Sequence, residues 1–280
     1  MVKQMIFENK VAVVTGAGGV LCSAFAKELA SKGAKVALLD LNLEAAEAVA
    51  EEIRQAGHVA KAYRADVLDR ACLDQLRDAI HADLGLCDIL INGAGGNSPR
   101  CTTAHEYYED GDELTEEIKT FFNLNRSDFD FVFGLNIMGT LLPTQVFAAD
   151  MLHRDGCILN VSSMNAFRPL TKIPAYSAAK SAVSNFTQWL AVHFAGCGIR
   201  VNAIAPGFFV TKQNQALLFH EDGTPTPRTD KILRATPMGR FGKPEELLGT
   251  LNWLCDNTAS SFVTGVVIPV DGGFSAYSGV

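Results

Sequence analysis

Basic clusters, paired metal ligands and long apolar runs are all missing from this 280-residue chain, and each absence removes a class of function. Lysine and arginine number 24 against 31 acidic residues, for a formal charge of -7, and they gather nowhere. Nucleic acid and anionic membrane select basic surfaces, so neither is expected as the main partner. The seven cysteines (Cys22, Cys72, Cys87, Cys101, Cys157, Cys197, Cys255) are scattered, odd in number and without C-x-x-C spacing. That fits free thiols in a reducing compartment rather than a disulfide framework. The six histidines form no H-x-x-x-H pattern and no Cys/His cluster, so each reads as a surface or packing residue and no metal is expected. No run of about 18 uncharged apolar residues offers a membrane span, and the N-terminal segment lacks a signal-like apolar stretch. A cytoplasmic protein acting on a small solute is the expectation.

What the chain does have is core-forming material. At 48% hydrophobic residues it can bury a sizeable interior, and no linker or low-complexity tract divides it, so residues 1–280 read as a single domain. Short β-rich runs alternate with helical segments: strands at 11–15, 35–40, 59–64 and 88–92, helices at 20–32, 43–56 and 70–84. This is the β-α-β rhythm of a parallel sheet covered on both faces. Val-Ala-Val-Val, Val-Ala-Leu-Leu and Ile-Leu-Ile are continuously apolar, as strands buried on both sides must be. Further strands at 157–162, 199–205 and 265–270, with a helix at 244–255, predict a seven-stranded parallel sheet of the doubly wound Rossmann type.

Two stretches break the rhythm. Residues 97–128 are rich in acid, and 207–237 in proline, threonine and charge; both are too long for idle connections. Each leaves a strand at the carboxyl end, where ligands of such sheets sit, so they are either substrate walls, the second acting as a lid, or surface elaborations and oligomer contacts. The helix predicted over 175–196 carries one charge in its first twenty residues and is small or apolar almost all round. One side must pack on the sheet; the rest suggests a face shared with another subunit, in a homotetramer or homodimer.

Thr15-Gly-Ala-Gly-Gly19 follows the first strand and opens a helix. There Gly16, Gly18, Gly19, Val20 and Leu21 can present backbone N–H groups and a positive helix end to a pyrophosphate. Asp40, ending the second strand, can accept hydrogen bonds from both hydroxyls of an adenosine ribose and would repel a 2′-phosphate, which favours NAD over NADP. It could instead cap the next helix, as Asn42 could. Asp66 and Val67 can flank an adenine, and Asn92-Gly93-Ala94-Gly95 offers another close backbone approach.

Tyr176 and Lys180 are an i,i+4 pair on one face of the helix predicted over 175–196. A cation there should favour the phenolate and let Tyr176 exchange a proton nearer neutral pH. Ser163, thirteen residues upstream at a strand end, could orient the reacting oxygen. Tyr-x-x-x-Lys also recurs in helices by chance, so the pair alone decides nothing.

Taken together and in order, Thr15–Gly19, Asp40, Asp66-Val67, 92–95, Asn136, Ser163, Tyr176, Lys180, 200–203, Pro206-Gly207, Thr211 and 271–273 resemble the short-chain dehydrogenase/reductase family from about Lys10 to Gly273. The resemblance implies an NAD-dependent oxidoreductase with a catalytic tetrad. Tyr176 would be general acid/base, Lys180 would lower its pKa and hold the nicotinamide ribose, and Ser163 would polarise the substrate oxygen. Asn136 would position a proton-relaying water, Pro206 and Gly207 would line the nicotinamide, and Thr211 would bond its carboxamide. One departure stands out: Val20 and Cys22 occupy positions where the family pattern has glycine; the Val20 Cβ should narrow the pyrophosphate pocket or shift the helix slightly, while Cys22 is small enough to pack.

Within the family, Gly18–Cys22, the long insertion after Gly95 and the segment Ser163–Lys172 look most like the D-mannonate oxidoreductase (fructuronate reductase) branch. A sugar acid needs a cation and several hydroxyl partners. Asn165, Arg168 and Lys172 lie between Ser163 and Tyr176, with Arg100 and Lys212 at the feet of the insertions; Arg168 may equally be a solvated loop charge. Another sugar-alcohol or gluconate-type keto acid reductase would share every catalytic residue. A dinucleotide-binding sensor without turnover is the reading from outside enzymes, resting on Val20 and Cys22.

Overall fold

A computed structural model describes residues 5–112, 117–211 and 214–279. Among them seven strands form one parallel sheet: β1 (Val11–Thr15), β2 (Lys35–Asp40), β3 (Ala60–Arg64), β4 (Ile89–Asn92), β5 (Cys157–Val161), β6 (Arg200–Pro206) and β7 (Val267–Val270). Their order is β3-β2-β1-β4-β5-β6-β7. The chain therefore runs outward from β1 in one direction and then, from β4, in the other. This leaves a crevice between the carboxyl ends of β1 and β4.

The continuous apolar runs bury both faces, and alternate strand residues feed two cores. Val14, Leu38, Ile91 and Leu159 pack with helices α1 (Val20–Ser31) and α2 (Leu43–Gln55). Val13, Leu39, Leu90 and Ile158 pack on the opposite face with α3 (Arg70–Asp83) and residues of two later helices. Four strand starts differ from expectation, those of β3, β4 and β6 by one residue and that of β7 by two. Val59 is half exposed and outside β3. Asp88 precedes β4 because its buried carboxylate is a fastening point, accepting the Val11 N–H at 2.9 Å and pairing with Lys10 and Arg154.

The long helical segment before β5 is three pieces: α4 (Arg126–Phe133), a wide π turn (Gly134–Met138) and α5 (Gly139–Met151). Such turns re-aim side chains, and this one carries Asn136. Residues Arg126–Met151 are the one described helix long and apolar enough to cross a membrane by length and composition, but half of its most apolar window is buried within the molecule. The helix predicted over 175–196 is α6 (Pro174–Phe194), with proline at its first turn. Ala179, Val183, Leu190 and Ala191 face inward, while Trp189 stacks between Phe186 and His193 on the outside and Val192 is 81% exposed.

Both insertions are structured where described. In the first, Cys101 is fully buried against Val132 and Ala175, and the ring nitrogen Nδ1 of His105 lies 3.1 Å from both Asp112 carboxylate oxygens. The second carries α7 (Gln215–Leu218) and α8 (Pro227–Ala235), and α9 (Leu248–Cys255) follows it after a 3-10 turn at Pro244–Leu247. The insertions meet: Lys231 of α8 pairs with Glu106 at 2.9 Å.

Candidate active site

Parallel strands deliver Thr15, Asp40, Asn92, Ser163 and Pro206 to one edge of the sheet, and the turns after β1 and β4 touch. A Cβ on Gly16 would come within 2.9 Å of the Ala94 Cα, and Gly16 has φ +66°. Only glycine fits there without strain. The buried Thr15 hydroxyl accepts the Gly93 and Ala94 N–H groups at 3.0 and 3.2 Å, clamping one turn to the other.

The Asp40 carboxylate closes the other side of the glycine turn. One oxygen accepts the Gly18 N–H at 2.9 Å and the other the Asn42 N–H, while Asn42 itself caps α2. The alternatives in the sequence are thus divided between the two residues: Asn42 caps, and Asp40 faces the turn. Gly18 has no room for a side chain, since a Cβ would sit 2.7 Å from that of Ala45. The first turn of α1 has neither a side-chain cap nor an acidic residue. Its uncapped amides, the side-chain-free turn and the Asp40 carboxylate fit a dinucleotide.

Cys22 packs, as its small size leads one to expect. It turns inward, 5% exposed, and its sulfur lies 2.1 Å from where a Gly93 Cβ would be. The volume added at position 22 is absorbed by the lack of a side chain at 93. Burial pushes the Cys22 thiol up to about 12, so it stays neutral. Val20 and Leu21 are partly exposed at the start of α1.

Ser163, Tyr176, Lys180 and Asn136 converge. The Tyr176 phenol hydrogen-bonds Ser163, whose hydroxyl also accepts the Asn165 N–H at 3.2 Å. Lys180 is 4% exposed; its ammonium donates to the Val161 carbonyl at 2.8 Å and lies 5.7 Å from the centre of the Tyr176 ring. Asn136, completely buried, donates to the carbonyls of Gly96 and Val132 at 2.8 Å each and accepts the Gly96 N–H. Asn136 Oδ1 and Lys180 Nζ reach the same point: a Cβ on Gly95 would stand 2.7 and 3.2 Å from them. Asn136 thus pins the loop after β4.

The electrostatics differ from the expectation for the Tyr176–Lys180 pair. Burial raises the Tyr176 pKa, and the Ser163 hydrogen bond only partly offsets this. Lys180 is itself lowered by burial, to about 8, opposed by its interaction with Cys22. Desolvation dominates because Lys180 is buried and Tyr176 partly so, and the ammonium is directed to Val161. Tyr176 is accordingly protonated at neutral pH, beside a lysine that burial brings down to about 8.

Other predicted residues are placed less directly. The Asn92 side chain points inward, donating to Thr144 and Asn160 at 2.9 Å, so only the backbone after it reaches the crevice. Val67 packs on Gly139, and Asp66 turns back on the Leu68 N–H. Pro206 ends β6, Gly207 packs so closely on Asp271 that a Cβ would meet its Cα at 2.6 Å, and the Thr211 N–H bonds Asn214. Asn165 is buried with its side-chain oxygen unpartnered. Arg168 is exposed and donates from Nε to the Ser275 carbonyl. Lys172, at φ +74°, accepts the Thr103 N–H on its carbonyl, which ties the first insertion to this loop. Arg100 stacks over Phe131 and pairs with Asp128; Lys212 lies outside the described residues. The clamping role of Thr15 and the Cys101–Ala175 contact beside Tyr176 escaped sequence reasoning. A threonine before a glycine turn signals the first; nothing in the sequence signals the second.

Residues 10–221 match the family model described as short chain dehydrogenase. The chain belongs to this family. It is an oxidoreductase of the kind that acts on alcohols and ketones. It is 62% identical over 274 residues, 98% of this chain and 95% of the relative, to an uncharacterized oxidoreductase of Haemophilus influenzae. A D-threitol dehydrogenase of Mycolicibacterium smegmatis is 33% identical over 271 residues, covering 96% of this chain and 94% of that protein. Among solved structures, a Haemophilus protein provisionally named D-mannonate oxidoreductase, with bound NAD, superposes with a TM-score of 0.93 at 61% identity, covering 98% and 97% of the two chains.

Proposed function

We propose that the protein is a cytoplasmic, NAD-preferring dehydrogenase that interconverts a secondary alcohol and a ketone on a sugar acid, D-mannonate and D-fructuronate being the favoured pair. The observation that carries the reaction is the buried Ser163–Tyr176 hydrogen bond with Lys180 beside it, at the mouth of a crevice suited to a dinucleotide. The nicotinamide ring, when bound, supplies or accepts the hydride. Ser163 orients the substrate oxygen, and Tyr176 delivers the proton to it or removes it. Lys180 holds the cofactor ribose and assists Tyr176, and Asn136 keeps the loop carrying Gly95 in place for both and supports the proton relay.

On the cofactor side, Gly16, Gly18, Gly19, Val20 and Leu21 take the pyrophosphate and Asp40 the adenosine ribose. Asp66 and Val67 border the adenine, residues 92–95 the ribose, and Pro206, Gly207 and Thr211 the nicotinamide. The chain acts as one domain with 97–128 and 207–237 as substrate walls, and the outer face of α6 meets a second copy in a tetramer or dimer.

Asn165, Arg168 and Lys172 are assigned to the substrate. Support for a sugar acid comes from those cations on the Ser163–Tyr176 loop and from the provisional name of the NAD-bound relative. The D-threitol dehydrogenase likeness favours a polyol as the second reading. Following NADH absorbance with a panel of hexuronates, gluconates and polyols separates the two; no turnover on any of them refutes both. Tyr176→Phe should lower turnover by about 10²–10⁴ while NADH still binds, and unchanged turnover would remove its assigned role.

A further inference from the structure

The turn that follows β7 meets three segments of the proposed site. Gly272 and Gly273 take left-handed conformations, at φ +65° and +89°, against the end of the second insertion: Cβ atoms there would come within 3.0 Å of Thr236 and 3.1 Å of Pro237. The Met238 N–H bonds the Gly272 carbonyl at 3.1 Å. The Phe274 ring stands edge-on to that of Phe208, beside the proposed nicotinamide wall Pro206-Gly207, with centroids 5.2 Å apart. One residue later, the Ser275 carbonyl accepts the Nε–H of Arg168 at 3.2 Å. The Asp271 carboxylate holds this turn in shape, accepting the Gly273 N–H at 2.9 Å and the Ser275 N–H at 2.8 Å. Arg168 is fixed at its backbone as well, where its N–H bonds the carbonyl of Met164, the residue after Ser163, at 3.0 Å.

A guanidinium is a planar fork, and using its Nε–H leaves the Nη1–Nη2 edge, whose spacing matches the two oxygens of a carboxylate. Among the described residues neither Nη of Arg168 has a partner and no carboxylate pairs with it. Arg77, Arg100 and Arg240, by contrast, each hold an acidic side chain. We infer that the turn after β7 is the specificity element for a substrate carboxylate: Asp271 shapes the turn, the Ser275 carbonyl takes the Nε–H, and the Nη1–Nη2 edge of Arg168 is left for a planar anion. Asp271 is a positioning residue and does not touch the substrate. The inference rests on the sugar-acid reading above, and it supplies the reason an exposed loop arginine can discriminate: a long side chain already held by a carbonyl loses less rotamer freedom on binding.

The test is steady-state kinetics of the full chain with D-fructuronate and NADH. Asp271→Ala removes the acceptor of both amides and should raise KM about threefold to tenfold, with smaller changes in kcat and in the NADH dissociation constant. Arg168→Ala should raise KM by about tenfold or more, and Arg168→Lys, which keeps the charge without the fork, should leave it high. In the Arg168→Ala background, Asp271→Ala should add nothing, since both act through one contact. An unchanged KM in Asp271→Ala, or the same rise with and without Arg168, would overturn the inference while the sugar-acid reading stands. If Asp271→Ala misfolds, the parent chain decides: D-mannonate with NADH should slow amide hydrogen exchange over residues 271–277 relative to NADH alone, and unchanged exchange overturns the inference. A parent that turns over polyols and no sugar acid refutes the substrate reading and this assignment with it.

Discussion

Replacing Lys180 by methionine should make the ligand-free protein more stable while abolishing turnover. In the folded chain Lys180 titrates at about 8 against an ordinary value of 10.5, chiefly because burial penalises the ammonium. Between those values the unfolded chain binds the proton and the folded chain does not, so stability rises with pH across this window and the full penalty is present below it. The difference corresponds to on the order of 3 kcal/mol. Methionine of similar length keeps the packing but forgoes the bond to the Val161 carbonyl, a loss of about 1 kcal/mol. A net gain near 2 kcal/mol at pH 7 remains, equivalent to roughly 4 °C in Tm for a chain of this size. Urea unfolding of parent and variant at pH 7 and pH 10.5 without nucleotide is the assay. The gain should be present at pH 7 and absent at pH 10.5, where the parent's lysine is neutral in the folded chain and about half neutral in the unfolded one. A variant less stable than the parent at pH 7, or a difference that does not change with pH, would refute the reasoning. That outcome would mean that Lys180, in its proposed role, is kept at the expense of the apo fold.

Gly93→Ala should destabilise the protein by about 1–3 kcal/mol through overpacking against Cys22, and Cys22→Gly in the same chain should restore most of it; additive effects in urea unfolding would deny the coupling. Asp40→Ser removes the carboxylate set against a 2′-phosphate, so the NADPH-to-NADH ratio of kcat/KM should rise at least ~10-fold, and an unchanged ratio contradicts its role. Arg168→Ala should raise KM for a hexuronate more than for a neutral ketose; equal effects would assign Arg168 to holding Ser275 alone.

The fold was largely readable because its signals are local. Runs such as Val11–Val14 and Leu90–Ile91 are apolar on both faces, and a strand buried on both sides has no alternation to obscure it. The starts of β3 and β4 slipped by one residue. At the second, Asp88 is recruited by Val11, Lys10 and Arg154, partners distant in sequence. The break in the long helix at Gly134–Met138 was likewise invisible, since a π turn has the same composition as the helix around it.

Order along the chain singled out Ser163, Tyr176 and Lys180 and the family to which they belong. The i,i+4 spacing put the last two on one helical face, and strand periodicity brought the first to the right edge of the sheet. Charge balance was outside its reach. How a buried ammonium and a buried phenol titrate depends on how much water the surrounding elements exclude and on which carbonyl stands nearby, here that of Val161. The fate of Cys22 was tertiary in the same sense, because its acceptable volume is set by Gly93, a residue brought opposite it by the pairing of β1 with β4. Local propensity and motif order determined the architecture and the chemistry; only three-dimensional packing decided the protonation states and the compensating contacts, since those depend on groups that meet across the sheet.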